Sequence, residues 1–224
     1  MSFDPSTVYL VDTIDTPAGH TNFLVRGNEP LLHHEHGAFA YSQLADRLAE
    51  LIAGFDLTKS KLIDVSVIDV DTKQHKHLCD EFKAFAQDFD SLYPAPNWPP
   101  FFQGQKIDVQ HGSQIAGNAG SVVWFPIQGC TDDDNCQLVE PSQFDYLNMM
   151  NWVTSLLHTE QGAVVYIHCE HGHDRTGAFV MSYMMASMGQ TLAEALENGN
   201  PFPEPVEPAY IALVTWYANQ LRIL

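Results

Sequence analysis

Residues 163–188 constrain this chain more than any other stretch. Ala163–Ile167 is a short, β-branched apolar run, the pattern of a buried strand. It passes directly into His-Cys-Glu-His-Gly-His-Asp-Arg-Thr-Gly at residues 168–177, and an apolar helical pattern follows from about Thr176 to Met188. A buried strand that turns through a polar loop into a helix is one half of a parallel strand–helix unit. Ligands of such sheets sit beyond the carboxyl ends of the strands, where this polar loop lies.

The rest of the chain alternates in the same way. Val8–Ile14 reads as a strand, and Tyr41–Ala53 as a helix with Leu44, Leu48, Leu51 and Ile52 on one face. Leu62–Val70 reads as a strand, and His77–Phe89 as a helix with Leu78, Phe82, Phe85 and Phe89 aligned. After a Pro-rich loop, Tyr93–Pro100, come a buried strand at Val122–Ile127 and a polar loop at Gly129–Asn135. Pro141 and Ser142 open a helix that runs to about His158, and further helices follow at Leu192–Glu197 and Pro208–Leu221. No internal repeat interrupts the pattern. It predicts an α/β fold, a central and largely parallel sheet flanked by helices, in a single domain spanning 1–224. The segment 121–221 is the best-supported core, with the half 1–120 part of the same domain.

The loop at 168–177 has a chemistry of its own. A helix amino terminus presents unpaired N–H groups and partial positive charge, so the loop makes a cradle for a phosphate dianion. The same field lowers the pKa of Cys169 and keeps a thiolate available near neutrality. Arg175, placed just before the helix, offers two parallel N–H bonds to phosphate oxygens. Gly172 permits a tight turn that a Cβ would obstruct.

These residues resemble the signature of the cysteine-dependent phosphatase superfamily of tyrosine and dual-specificity enzymes, His-Cys, five residues, then Arg and Ser or Thr. The likeness covers roughly 121–221 and includes the following glycine and the strand–loop–helix setting. It implies that Cys169 attacks phosphorus to form a phosphocysteine and that Arg175 holds the transferring phosphoryl group. It further implies that Thr176 assists the departing thiolate, that His168 helps set the thiol pKa, and that Glu170, His171, Gly172, His173, Asp174 and Arg175 line the bound phosphate. No cofactor and no metal are expected.

Such enzymes place a general acid on a loop about 30 to 40 residues before the cysteine. Asp132, Asp133 and Asp134 lie 37, 36 and 35 residues upstream of Cys169, on the loop after a buried strand; three adjacent aspartates leave the assignment open, and counting back from the helix start favours Asp134 or Asp133 slightly. Asp174 is a second candidate, because Asp-Arg-Thr resembles the loop of myotubularin- and Sac-type phosphoinositide phosphatases. The alternative for Asp174 is to bond loop backbone and orient Arg175.

Charge bears on substrate. The chain carries 28 acidic against 10 basic side chains, a net charge of −18, which repels nucleic acid and anionic membrane at long range. Phosphorylated protein, basic in sequence, is the substrate class that such a field serves. Inositol phosphates or phosphoinositides, and RNA 5′-triphosphate ends, are the alternatives within the same superfamily. The first is disfavoured because His171, His173, Glu170 and Asp174 stand where lysines would match a polyphosphate. A phosphoprotein-binding pseudophosphatase is the remote alternative, opposed by intact Cys169, Arg175 and Thr176.

Neither a signal peptide nor an apolar run of about 20 residues is visible, so a cytoplasmic protein is expected, with non-classical secretion left open. Of the four cysteines, Cys130 and Cys136 flank the aspartate run. A disulfide or a redox partner for Cys169 is conceivable there, but two ordinary thiols are expected. The run His33-His34-Glu35-His36 lacks zinc-enzyme spacing and reads as a surface loop, and His75 and His77 read as solvated. Trp98, Phe101 and Phe102 read as packed loop residues.

Overall fold

The computed structural model describes residues 2–32, 38–69, 75–85, 106–109, 120–130 and 146–221, with side chains left aside at 75–77, 79, 85 and 106–109. Six strands form one sheet: β1 (Tyr9–Asp15), β2 (Thr21–Asn28), β3 (Lys61–Ser66), β4 (Lys106–Val109), β5 (Gly120–Trp124) and β6 (Ala163–Cys169). Their spatial order is β1-β2-β6-β3-β5-β4. The four inner strands β2, β6, β3 and β5 are parallel to their neighbours, whereas the edges β1 and β4 run antiparallel. The expected α/β architecture, largely parallel at its centre, is therefore observed. Strands from both halves of the chain share it: Asn28 lies opposite Cys169, and Ser66 opposite His168.

Six helices are described: α1 (Tyr41–Leu51), α2 (His75–Phe85), α3 (Tyr146–Thr159), α4 (Asp174–Ser187), α5 (Leu192–Asn198) and α6 (Pro208–Leu221). Because helices cover both faces, β6 is buried along its whole length and reads as a continuous apolar run rather than an alternating one. Alternation nonetheless decides which way each side chain points. Ala163, Val165, Ile167 and Cys169 pack with Met149, Val153 and Leu157 of α3, Phe179 and Tyr183 of α4 and Val214 of α6. Val164 and Tyr166 pack on the opposite face with Leu44 and Leu48 of α1 and Leu78 and Phe82 of α2.

Several expected boundaries move. The strand expected to reach Val70 ends at Ser66, and the buried run expected to end at Ile127 leaves the sheet after Trp124. The helix expected from Thr176 begins two residues earlier, at Asp174. Arg175 is therefore in the first helical turn rather than ahead of it. Strand β2 and the short β4 were not expected from the sequence. The helix opening at Pro141 and Ser142, the far end of the helix expected to reach Phe89, the Pro-rich loop and the histidines 33–36 lie outside the described residues. No helix among the described residues is long and apolar enough to cross a membrane.

Candidate active site

Cys169 ends β6, and residues 170–173 carry the chain into α4. Gly172 has φ +72°, and a Cβ there would stand 2.5 Å from the carbonyl carbon and oxygen of Gly27 and 2.7 Å from Asn28 N. Glycine is required at 172 on both counts. Gly27 is equally confined, since a side chain there would collide with the Tyr166 hydroxyl, which donates 2.7 Å to Asn28 O. The loop thus lies directly on the backbone of β2. The His173 side chain does not cap α4, so the helix keeps amino-terminal N–H groups for a ligand.

The cysteine is a free thiol, 2% exposed. Burial pushes its pKa up, but the Arg175 charge, the Thr176 hydroxyl and the N–H groups of Thr176 and Gly172 outweigh burial and leave it lowered. Arg175 and Thr176 are both buried. Among the described residues the Thr176 oxygen has no hydrogen-bond partner besides the sulfur. Of the residues expected at the site, Cys169, Gly172, Arg175 and Thr176 converge in one place. His171 is exposed at the rim and Glu170 is half-buried.

His173 and Asp174 are engaged elsewhere. His173 Nδ1 lies 3.1 Å from the Asp174 carboxylate, and its Nε2 lies 3.0 Å from Glu204 O. The carboxylate of Asp174 accepts the Glu207 N–H at 2.9 Å. Both side chains join the 199–207 connection between α5 and α6; the backbone that Asp174 bonds is that of Glu207 rather than that of its own loop.

His168, one residue before Cys169, faces the other side of the sheet. Its Nε2 lies 3.1 Å from Asp64 of β3 and 3.1 Å from Glu81 of α2, all three fully buried. Both carboxylates thus lie within hydrogen-bond distance of the same ring nitrogen. Burial lowers the imidazole pKa, but the two carboxyl groups overcome it and hold it well above its ordinary value. Burial holds Glu81 well above its own, aided by Asp64 and opposed by His168. One nitrogen and two carboxylate oxygens within 4.8 Å are also a donor set able to hold a divalent cation, though 3.1 Å is the separation of a direct ion pair. Sequence reasoning named His168 and missed its partners, because Asp64 sits inside an otherwise apolar strand and Glu81 inside an ordinary amphipathic helix.

Asp132, Asp133 and Asp134 lie outside the described residues, as does Cys136. The segment leading to them is anchored: Tyr210 of α6 donates to Gln128 O at 2.9 Å and accepts from Cys130 N at 3.0 Å, and Gly129 N donates to Asp69 at 3.1 Å. Burial and the nearby Cys169 raise the Tyr210 phenol to about 12, against the opposing pull of Arg175. Cys130 is disulfide-bonded, which corrects the expectation of an ordinary thiol there; Cys169, being free, is not its partner.

No family model and no curated protein matches the chain. Solved structures of similar fold include PTPMT1 in complex with PI(5)P, with a TM-score of 0.46 and 10% identity over 97% of each chain. The human tyrosine phosphatase-like serine/threonine/tyrosine-interacting protein also has a TM-score of 0.46, with 12% identity over 95% of this chain and 97% of that one. The tandemly repeated protein tyrosine phosphatase like phytase from Mitsuokella multacida has a TM-score of 0.41 and 10% identity, over 89% of this chain and 38% of that chain. At such scores the functional reading rests on the residues themselves.

Proposed function

We propose that this protein is a phosphomonoester hydrolase that works through a cysteinyl-phosphate intermediate, of the protein tyrosine and dual-specificity type. The observation that carries the reading is the acidified Cys169 thiol, buried beside Arg175 and at the amino terminus of α4. In the first step the Cys169 thiolate attacks phosphorus and the P–O bond to the leaving group breaks. A proton from a carboxylic acid of the Asp132–Asp134 run goes to the departing oxygen. Arg175 and the loop N–H groups take up charge on the equatorial oxygens. In the second step water, deprotonated by the same carboxylate, displaces the sulfur, and Thr176 stabilises the thiolate as it leaves. Phosphoprotein is the proposed substrate class, in keeping with the −18 net charge and a loop without lysine. We place the whole cycle in one domain spanning 1–224.

The deciding experiment is phosphate release from p-nitrophenyl phosphate in EDTA across pH 5–8, for wild type and Cys169→Ser. Wild type is expected to turn over with an acid limb set by the thiol and the carboxylic acid, and the variant to be inactive while still binding phosphate. A variant with a tenth of wild-type activity removes the cysteine mechanism. A wild type inert toward aryl, inositol and RNA 5′-phosphates alike makes the chain a binding module.

A further inference from the structure

One cation near the site is unused by the mechanism above. Arg26 lies in β2 on the sheet face that also presents Cys169, and it is 1% exposed. Moving a guanidinium out of water costs several kcal/mol unless the charge is met by partners. Here, among the described residues, every hydrogen bond it makes goes to a main-chain oxygen. Nη1 donates to Gly199 O at 2.5 Å, and Nη2 donates to Gly172 O at 2.8 Å and to His173 O at 3.4 Å. The Phe202 ring covers the guanidinium at 5.4 Å. Burial lowers its pKa to about 10, while Cys169 and Tyr9 raise it, so it remains charged at neutrality.

The direction of those bonds matters. In a trans peptide the C=O of one residue and the N–H of the next point opposite ways. The Gly172 carbonyl faces Arg26, so the N–H of His173 points away from it, whereas the His173 carbonyl is held mainly by the Gly177 N–H of α4 at 2.7 Å. The same guanidinium holds the 199–207 connection, which reaches the loop again through Glu204 O and Glu207 N. Val206 of that connection packs beside Gly177 at the start of α4.

We propose that Arg26 is a positioning residue of the phosphate site: from behind the loop it orients the N–H of His173 through the Gly172 carbonyl, ties the loop to the 199–207 connection, and leaves its buried charge to be met by the thiolate and the bound phosphate. The inference rests on the phosphatase reading. A substrate anion would then be held by Arg175 in front and by Arg26 through the loop.

The test compares wild type with Arg26→Gln and Arg26→Lys, measuring Tm, kcat and KM for p-nitrophenyl phosphate, and Ki for inorganic phosphate. Losing a charge-assisted bond that orients the loop is expected to raise KM and Ki about 10- to 100-fold in Arg26→Gln, with a much smaller change in kcat. Arg26→Lys keeps the charge but cannot bridge Gly172 and Gly199 together, so it should recover part of the phosphate affinity and fall short of wild type. A merely structural residue would lower Tm and the folded, active fraction, and hence apparent kcat, while leaving KM and Ki unchanged. Ki within twofold of wild type in either folded variant overturns the proposal, and Arg26→Lys serves if Arg26→Gln does not fold. A wild type that neither binds nor releases phosphate overturns the phosphatase reading and this inference with it. An active wild type with indifferent Arg26 variants overturns this inference alone.

Discussion

At Cys169 the thiol is buried, which alone would keep it protonated, and yet it is the more acidic for its surroundings. Directly behind it, across the sheet, the opposite bias holds, since both Glu81 and His168 retain protons past their ordinary values of 4.5 and 6.5. Both shifts are upward, so the folded chain binds more protons than the unfolded one between those values and the raised ones. Their contribution to stability is full below the unfolded values and declines as pH rises through the neutral range. Urea midpoints measured from pH 5 to 9 should therefore fall with pH, and Glu81→Gln should flatten the slope. A Glu81→Gln slope as steep as that of wild type contradicts this linkage. The motif residues were legible because each has a chemical reason to stand at a fixed distance from the others along the chain. Asp64, Glu81 and Arg26 were not, because they reach the site from separate elements and nothing local marks them.

At the level of elements, β6 and α4 were readable from apolar pattern, while β2 was not. Its sequence, Thr-Asn-Phe-Leu-Val-Arg-Gly-Asn, has three adjacent apolar residues and then the polar end that the loop rests on. Short β4 offered too few residues for periodicity to register. The first turn of α4 was misplaced because Asp174 and Arg175 carry no apolar side chain to join the periodic pattern that marks the rest of the helix. Helix α6, read correctly from the sequence, carries a contact that its pattern did not reveal, the Tyr210 hydroxyl pinning the segment 128–130. That segment leads to the aspartates proposed to supply the acid. Tyr210→Phe removes two hydrogen bonds of about 1 kcal/mol each from the anchor. It should lower kcat about 3- to 10-fold with Ki for phosphate unchanged. The loss should be larger for an alkyl phosphate than for p-nitrophenyl phosphate, whose leaving group needs less protonation. Equal losses on both substrates would separate Tyr210 from proton donation.

Over the whole molecule, the excess of 18 negative charges sets a long-range field, while the site concentrates Arg175 and Arg26 in its interior. A phosphotyrosyl peptide flanked by lysines should show kcat/KM that falls as salt rises from about 0.01 to 0.15 M, and one flanked by glutamates should show the reverse. Stopped-flow or steady-state comparison of the two checks this, and salt-independent rates for both would remove the field from substrate selection. The order of the strands has a consequence for how such a site comes into being. Strand β6 lies between β2 and β3, yet it follows β2 by more than 130 residues along the chain. During synthesis the partners on either side exist long before the strand that joins them, and their facing edges wait unpaired. Cys169, the proposed nucleophile, arrives on the piece that closes this gap. Completion of the sheet and assembly of the phosphate cradle are then a single late event, and a ribosome-bound chain short of that point has neither.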